Sequence, residues 1–139
     1  MTTLKSNLKL GKSIGSGHFG EVFLADDEVH GVVAVKVLER RPGETLIMWD
    51  TRKAGLLQEA QNLSKATHRN VVQVHHLVES ETSDAILYVM EYCSGGSLQN
   101  MFENGPLSLS NVRKIATEVS FGLQALHSRG MLLACPPEN

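Results

Sequence analysis

Gly15-Ser16-Gly17-His18-Phe19-Gly20-Glu21-Val22 sets three glycines at the first, third and sixth places of an eight-residue stretch that ends on valine. Glycine carries no Cβ, so backbone N–H groups in such a stretch approach a bound polyphosphate closely. Two local folds use this spacing. In a dinucleotide fingerprint, a helix opens directly after the glycines and turns its N-terminus toward the pyrophosphate. Here Glu21 to Ala25 is strand-like, so no helix dipole is at hand and the loop is expected to close over phosphates as a hairpin flap.

Outward from the flap, Leu8, Leu10, Val22 and Leu24 alternate with polar neighbours, which predicts two strands joined by the glycine-rich turn. His30-Gly31 turns the chain into the β-branched run Val32 to Leu38, a third strand closed by Arg41-Pro42-Gly43. From about Asp50, Leu56, Ala60 and Leu63 recur at helical spacing, with Glu59 beside the stripe and Thr67 to Asn70 closing the helix. Val71 to Val78 and Ala85 to Met90 flank a polar turn and predict a second hairpin. Ser94-Gly95-Gly96-Ser97 marks a joint, followed by a short helix near Leu98 to Phe102. A longer helix is capped by Ser108 or Ser110, presents Val112, Ile115, Ala116, Val119, Leu123 and Leu126 on one expected buried face, and stops at Gly130. The fold class is α+β: a five-stranded antiparallel sheet with one packed helix over residues 1–92, then a joint and helices over 93–139.

The 139 residues, 42% hydrophobic and with a formal charge of −2, suit one modest domain with a core and supply no electrostatic footprint for nucleic acid or an anionic membrane. The two cysteines, Cys93 and Cys135, have neither metal-ligand spacing nor the density of a disulfide framework, which fits a reducing cytoplasm. Met1 to Leu10 alternates polar and apolar residues and reads as neither a signal peptide nor a span. In His75-His76, adjacent strand residues point to opposite faces, and no third ligand is spaced to join them; the sequence argues against a metal there.

Two further elements, a strand and a helix, carry chemistry. Ala34 and Lys36 share a strand face because side chains repeat with period two, leaving room for a flat base beside a compact cation suited to phosphate. Glu59, beside the apolar stripe of its helix, is placed to pair with Lys36 and hold its ammonium. Glycine flap, lysine strand, glutamate helix, hairpin and glycine joint, in this order from about Leu8 to Asn139, resemble the protein kinase family, and Pro137-Glu138-Asn139 alone gives the resemblance its serine/threonine type.

That resemblance implies ATP with Mg²⁺ as the ligand and phosphoryl transfer to protein hydroxyls as the family activity. It makes Ile14, Val22 and Ala34 the apolar roof over adenine, Met90 the gatekeeper, and Glu91 to Cys93 the hinge, with the Glu91 carbonyl and the Cys93 amide facing the base. Gly15, Ser16, Gly17, His18, Phe19 and Gly20 cover the phosphates, and Lys36 with Glu59 holds them. The match breaks after Gly130. Aligning Pro137-Glu138-Asn139 with the family's Pro-Glu-Asn puts Asn139 at a metal-ligand position, but sets Leu132-Leu133-Ala134 where His-Arg-Asp belongs and Pro136 where the lysine belongs. Alanine neither accepts a substrate proton nor orients a nucleophile, and the metal-binding Asp-Phe-Gly is absent, so transfer by this chain alone is not expected. Leu132 and Leu133 are expected to form exposed apolar surface. Two readings follow: the truncated ATP-binding part of a kinase, or a non-catalytic kinase-like module that binds a protein partner, such as a full kinase.

Overall fold

A computed structural model describes residues 8–17, 20–80, 82 and 84–131. The chain order is β1 (Lys9–Gly17), β2 (Gly20–Asp27), β3 (Gly31–Glu39), α1 (Leu46–Lys65), β4 (Val74–Glu79), β5 (Ala85–Glu91), α2 (Leu98–Glu103) and α3 (Leu109–Ser128). The strands form one antiparallel sheet in the order β1-β2-β3-β5-β4. By contacts the chain divides into two compact units: residues up to 65 with 72–93, and 66–71 with the residues from 94 onward.

The sheet of the first unit is buried on both faces. On one, Leu38, Ile86 and Tyr88 enclose Trp49 and Ala60 of α1, with Leu56, Leu57, Leu77 and Met90 packed around them. On the other, Ala25, Val33, Val35 and Val89 form a second cluster with Leu8, Val37, Val78 and Leu87. The alternation along β3 follows from the pleat: Val33 and Val35 point one way, Ala34, Lys36 and Leu38 the other.

Helix α1 begins four residues before the expected Asp50, at Leu46. The Thr45 hydroxyl accepts the Met48 N–H at 3.2 Å, and the Thr45 carbonyl accepts the Trp49 N–H at 2.9 Å, so threonine starts the first turn. This earlier start carries Trp49 into the core, where it is 1% exposed.

Arg52 then fastens α1 to the end of β3. Its Nε and Nη2 each donate to the Glu44 carboxylate at 2.8 Å, Nη2 also reaches the Glu39 carbonyl at 3.0 Å, and the guanidinium lies 4.7 Å from the Trp49 ring centroid. The Arg52 hydrogen bonds, with one from the Arg41 N–H, hold the Glu44 carboxyl down at about 2. A carboxylate whose pKa is depressed by folding contributes stability in full above its unfolded value, near 4.5, and loses that contribution as pH falls toward 2. Melting temperatures taken between pH 6 and pH 2 are therefore expected to fall less steeply for Glu44→Gln than for the parent chain. Parallel curves would place the acid sensitivity in other carboxylates.

In the second unit, α2 is capped by Ser97 in a reciprocal box with Asn100, and α3 by Ser108, whose hydroxyl accepts the Asn111 N–H. Gly130, at φ 76°, follows the Arg129 cap of α3. The expected buried face of α3 is only partly realised. Leu126 is buried and Ile115 and Leu123 are half-buried, whereas Ala116 is exposed and Val112 and Val119 are 46% and 50% exposed. The other buried position on that helix is Gly122, where the Asn70 carbonyl oxygen stands 2.7 Å from the place a Cβ would take. The Asn70 side-chain amide donates to the Glu118 carbonyl at 3.0 Å, so the 66–71 segment packs backbone to backbone there and leaves the flanking valines uncovered among the described residues.

Candidate nucleotide site

The glycine stretch folds as a hairpin. Gly15 pairs with Val22, Ser16 with Glu21 and Gly17 with Gly20, so a strand and not a helix follows the glycines and the dinucleotide geometry is absent. Gly20 has φ 118°, and a side chain there would run into the Val37 carbonyl oxygen; this glycine is demanded by the approach of β3. Among the described residues, Gly15 has no atom within 4 Å of its Cβ position. Tip residues His18 and Phe19 lie outside the described residues.

Cross-strand register brings the candidate residues onto one face. Ala34 stands opposite Leu24 on one side and Met90 on the other, and Lys36 stands opposite Val22 and Tyr88. Ala34 is 6% exposed, and Met90 packs against the Trp49 cluster, a small residue in front of a larger one at the back. Val22 is half-buried and Ile14 exposed.

Tyr88 links the strand to the helix. Its hydroxyl donates to the Leu56 carbonyl of α1 at 2.8 Å, and burial, followed by the negative charge of Glu59, pushes the phenol up to about 12. Glu59 thus lies one turn along α1 from the anchored carbonyl, on the exposed side, close enough for Tyr88 to feel its charge. Tyr88, absent from the sequence-predicted site residues, thus stands across from Lys36 in the sheet and responds to the charge of Glu59. Its signal was present in the period-two spacing of Tyr88 and Met90 across from Lys36 and Ala34.

At the end of β5 the Glu91 N–H donates to the Gln73 carbonyl at 2.9 Å, and the Glu91 carboxylate accepts the Gln73 N–H at 3.2 Å. These bonds face β4, and Cys93, two residues on, is exposed with a free thiol. A cleft of about 460 Å³ opens elsewhere, among Gly20, Phe23, Val37, Arg41, Arg52 and Leu56; it meets none of Ala34, Lys36 and Met90. Asn139 and the Leu132 to Ala134 stretch lie outside the described residues.

Comparison with known proteins agrees with this arrangement. Residues 8–133 match the protein kinase domain family. The chain is 32% identical over 139 residues to the serine/threonine-protein kinase TOS3 of Saccharomyces cerevisiae, covering 91% of this chain and 25% of that protein. It is 29% identical over 124 residues to the CBL-interacting serine/threonine-protein kinase 21 of Arabidopsis thaliana, covering 88% and 28%. It is also 32% identical over 130 residues to the human mitogen-activated protein kinase kinase kinase kinase 3, covering 92% and 14%. The chain thus spans between 14% and 28% of the length of these relatives. With its hairpin flap, its lysine strand beside the glutamate helix and a family match over nearly its whole length, the chain belongs to the protein kinase domain family.

Proposed function

We propose that the first unit binds ATP with Mg²⁺ on the sheet face carrying Ala34 and Lys36, as the nucleotide-binding part of a cytoplasmic serine/threonine protein kinase. The observation that carries this is the register: a small buried residue and a cation on one face of β3, bounded by Val22 of the flap strand and Met90 at the end of β5. Adenine fits against Ala34, Val22 and Ile14, with Met90 behind it, and pairs with the Glu91 carbonyl and the Cys93 N–H. The Gly15 to Gly20 flap closes over the phosphates. Lys36 meets their oxygens as a compact charge, and Glu59, brought to the same tyrosine, orients its ammonium. Asn139 is the proposed Mg²⁺ ligand on this chain. The metal neutralises phosphate charge when bound.

Transfer to a protein hydroxyl needs a base at the position held by Ala134, so nucleotide binding, and not turnover, is the activity proposed for this sequence. No contact among the described residues favours the reading as a non-catalytic docking module.

The test is thermal stability of the purified chain titrated with ATP and Mg²⁺. A ligand bound only by the folded state stabilises it by about 2.7 kcal/mol at a hundred times its Kd. Lys36→Met is expected to remove the rise while leaving the nucleotide-free melting temperature close to that of the parent. A folded sample that shows no rise with ATP overturns the proposal.

A further inference from the structure

The turn joining β2 to β3 and the start of β4 bring a carboxylate and three imidazoles together, well separated in the chain. Asp27, His30 and His76 each offer a donor atom, and all three lie within 4.8 Å of one another. His30 Nδ1 is 2.8 Å from Asp27 Oδ2, and His76 Nε2 is 3.7 Å from Asp27 Oδ1. His75 stacks on His30 at a ring separation of 3.9 Å and 11°.

A regular pleat would send His75 and His76 to opposite faces with no third ligand in reach, and the fold alters both conditions. Val74 pairs with Met90 but His76 with Val89, so β4 carries one extra residue at His75. A bulge of that kind breaks the alternation and re-aims side chains. Both histidines consequently meet His30, at 3.9 Å for His75 and 6.1 Å for His76. The missing ligands come from the β2–β3 turn, some 45 residues earlier by the numbering, a distance no local motif spans.

We propose that Asp27, His30 and His76 form a binding site for a divalent transition metal of the zinc class, with a fourth position open to water. Two imidazoles and one carboxylate are a donor set that zinc accepts in tetrahedral geometry. At bond lengths of about 2.0–2.2 Å, ligand atoms stand roughly 3.4 Å apart, so the cluster closes by about an ångström or a little more. Side-chain rotation supplies that movement, since His30 sits on an exposed turn. Asp27 is already oriented: its Oδ2 accepts the Val29 N–H at 3.2 Å and the His30 N–H at 3.0 Å, which leaves Oδ1 toward His76. Backbone bonds of this sort hold a ligand in place for a metal. The His75 ring packs against one face of the His30 ring. Bound metal would tie the β2–β3 turn to the edge strand β4, away from the Ala34–Lys36 face, so the proposal is independent of nucleotide binding.

The test is titration of the metal-stripped full chain with Zn²⁺, without nucleotide, by calorimetry and thermal melting, and with Co²⁺ by visible absorption. One equivalent of Zn²⁺ is expected to bind and raise the melting temperature, and Co²⁺ to give the spectrum of a low-coordinate nitrogen and oxygen site. His30→Ala and His76→Ala are each expected to weaken Zn²⁺ binding at least roughly tenfold, the lower bound for losing even an outer-shell partner. His127→Ala, in the last turn of α3, serves as the control and is expected to leave binding unchanged. Because His30 is exposed, His30→Ala is expected to melt with the parent when no metal is present, which separates ligation from folding. Absence of saturable binding, or binding undiminished in the His30→Ala, His76→Ala double variant, overturns the proposal.

Discussion

Trp49→Ala is expected to destabilise the chain by roughly 3–5 kcal/mol, the cost of deleting a large buried aromatic where the surroundings cannot fully collapse. Trp49 is 1% exposed and sits among Leu38, Ala60, Ile86 and Tyr88, so its loss removes the largest fully buried side chain from the packing of α1 on the sheet. The Arg52 guanidinium over its ring loses that face as well. Trp49→Phe keeps an aromatic in the same slot and is expected to cost clearly less. Denaturant unfolding followed by far-ultraviolet circular dichroism measures both, since Trp49 is the single tryptophan and its own fluorescence disappears in the variants. A loss under about 1 kcal/mol would mean that the helix does not pack through this residue.

Gly20→Ala is expected to cost at least about 2 kcal/mol, because two penalties coincide. The backbone sits at φ 118°, which side-chain-bearing residues avoid, and the added methyl would meet the Val37 carbonyl oxygen and approach Leu38 Cδ2 to 3.3 Å. A carbonyl fixed in the β2–β3 ladder cannot step aside as a flexible side chain does. Gly15→Ala is the informative contrast: nothing among the described residues lies within 4 Å of its Cβ position, and a change within about 0.5 kcal/mol is expected. If Gly15→Ala keeps stability but weakens the ATP-dependent rise in melting temperature, the open space beside Gly15 is ligand space. Equal destabilisation by the two substitutions would contradict the described hairpin.

Local periodicity and turn chemistry determined most of the architecture. Period-two runs, the Gly31 and Gly96 turns at φ 71° and 80°, and the Ser97 and Ser108 caps are properties of neighbouring residues, and neighbours suffice to read them. The hairpin flap was legible for the same reason, and so was the shared face of Ala34 and Lys36. The order of motifs carried the family.

Tertiary structure decided what depends on residues distant in the chain. The start of α1 was set by a Thr45 cap and by burial of Trp49 against β3 and β5, and propensity near Asp50 does not encode that burial. The apolar stripe on α3 shows the converse, since periodicity states which face is available for burial but not whether chain arrives to cover it. Tyr88 became a site neighbour only when sheet register placed it across from Lys36 and α1 brought Leu56 and Glu59 to it. The histidine cluster needed both a bulge at His75 and a turn from another part of the sheet. Spacing along a chain measures local geometry, whereas a ligand set gathered across a sheet is a product of register, and register is fixed by packing of the whole core.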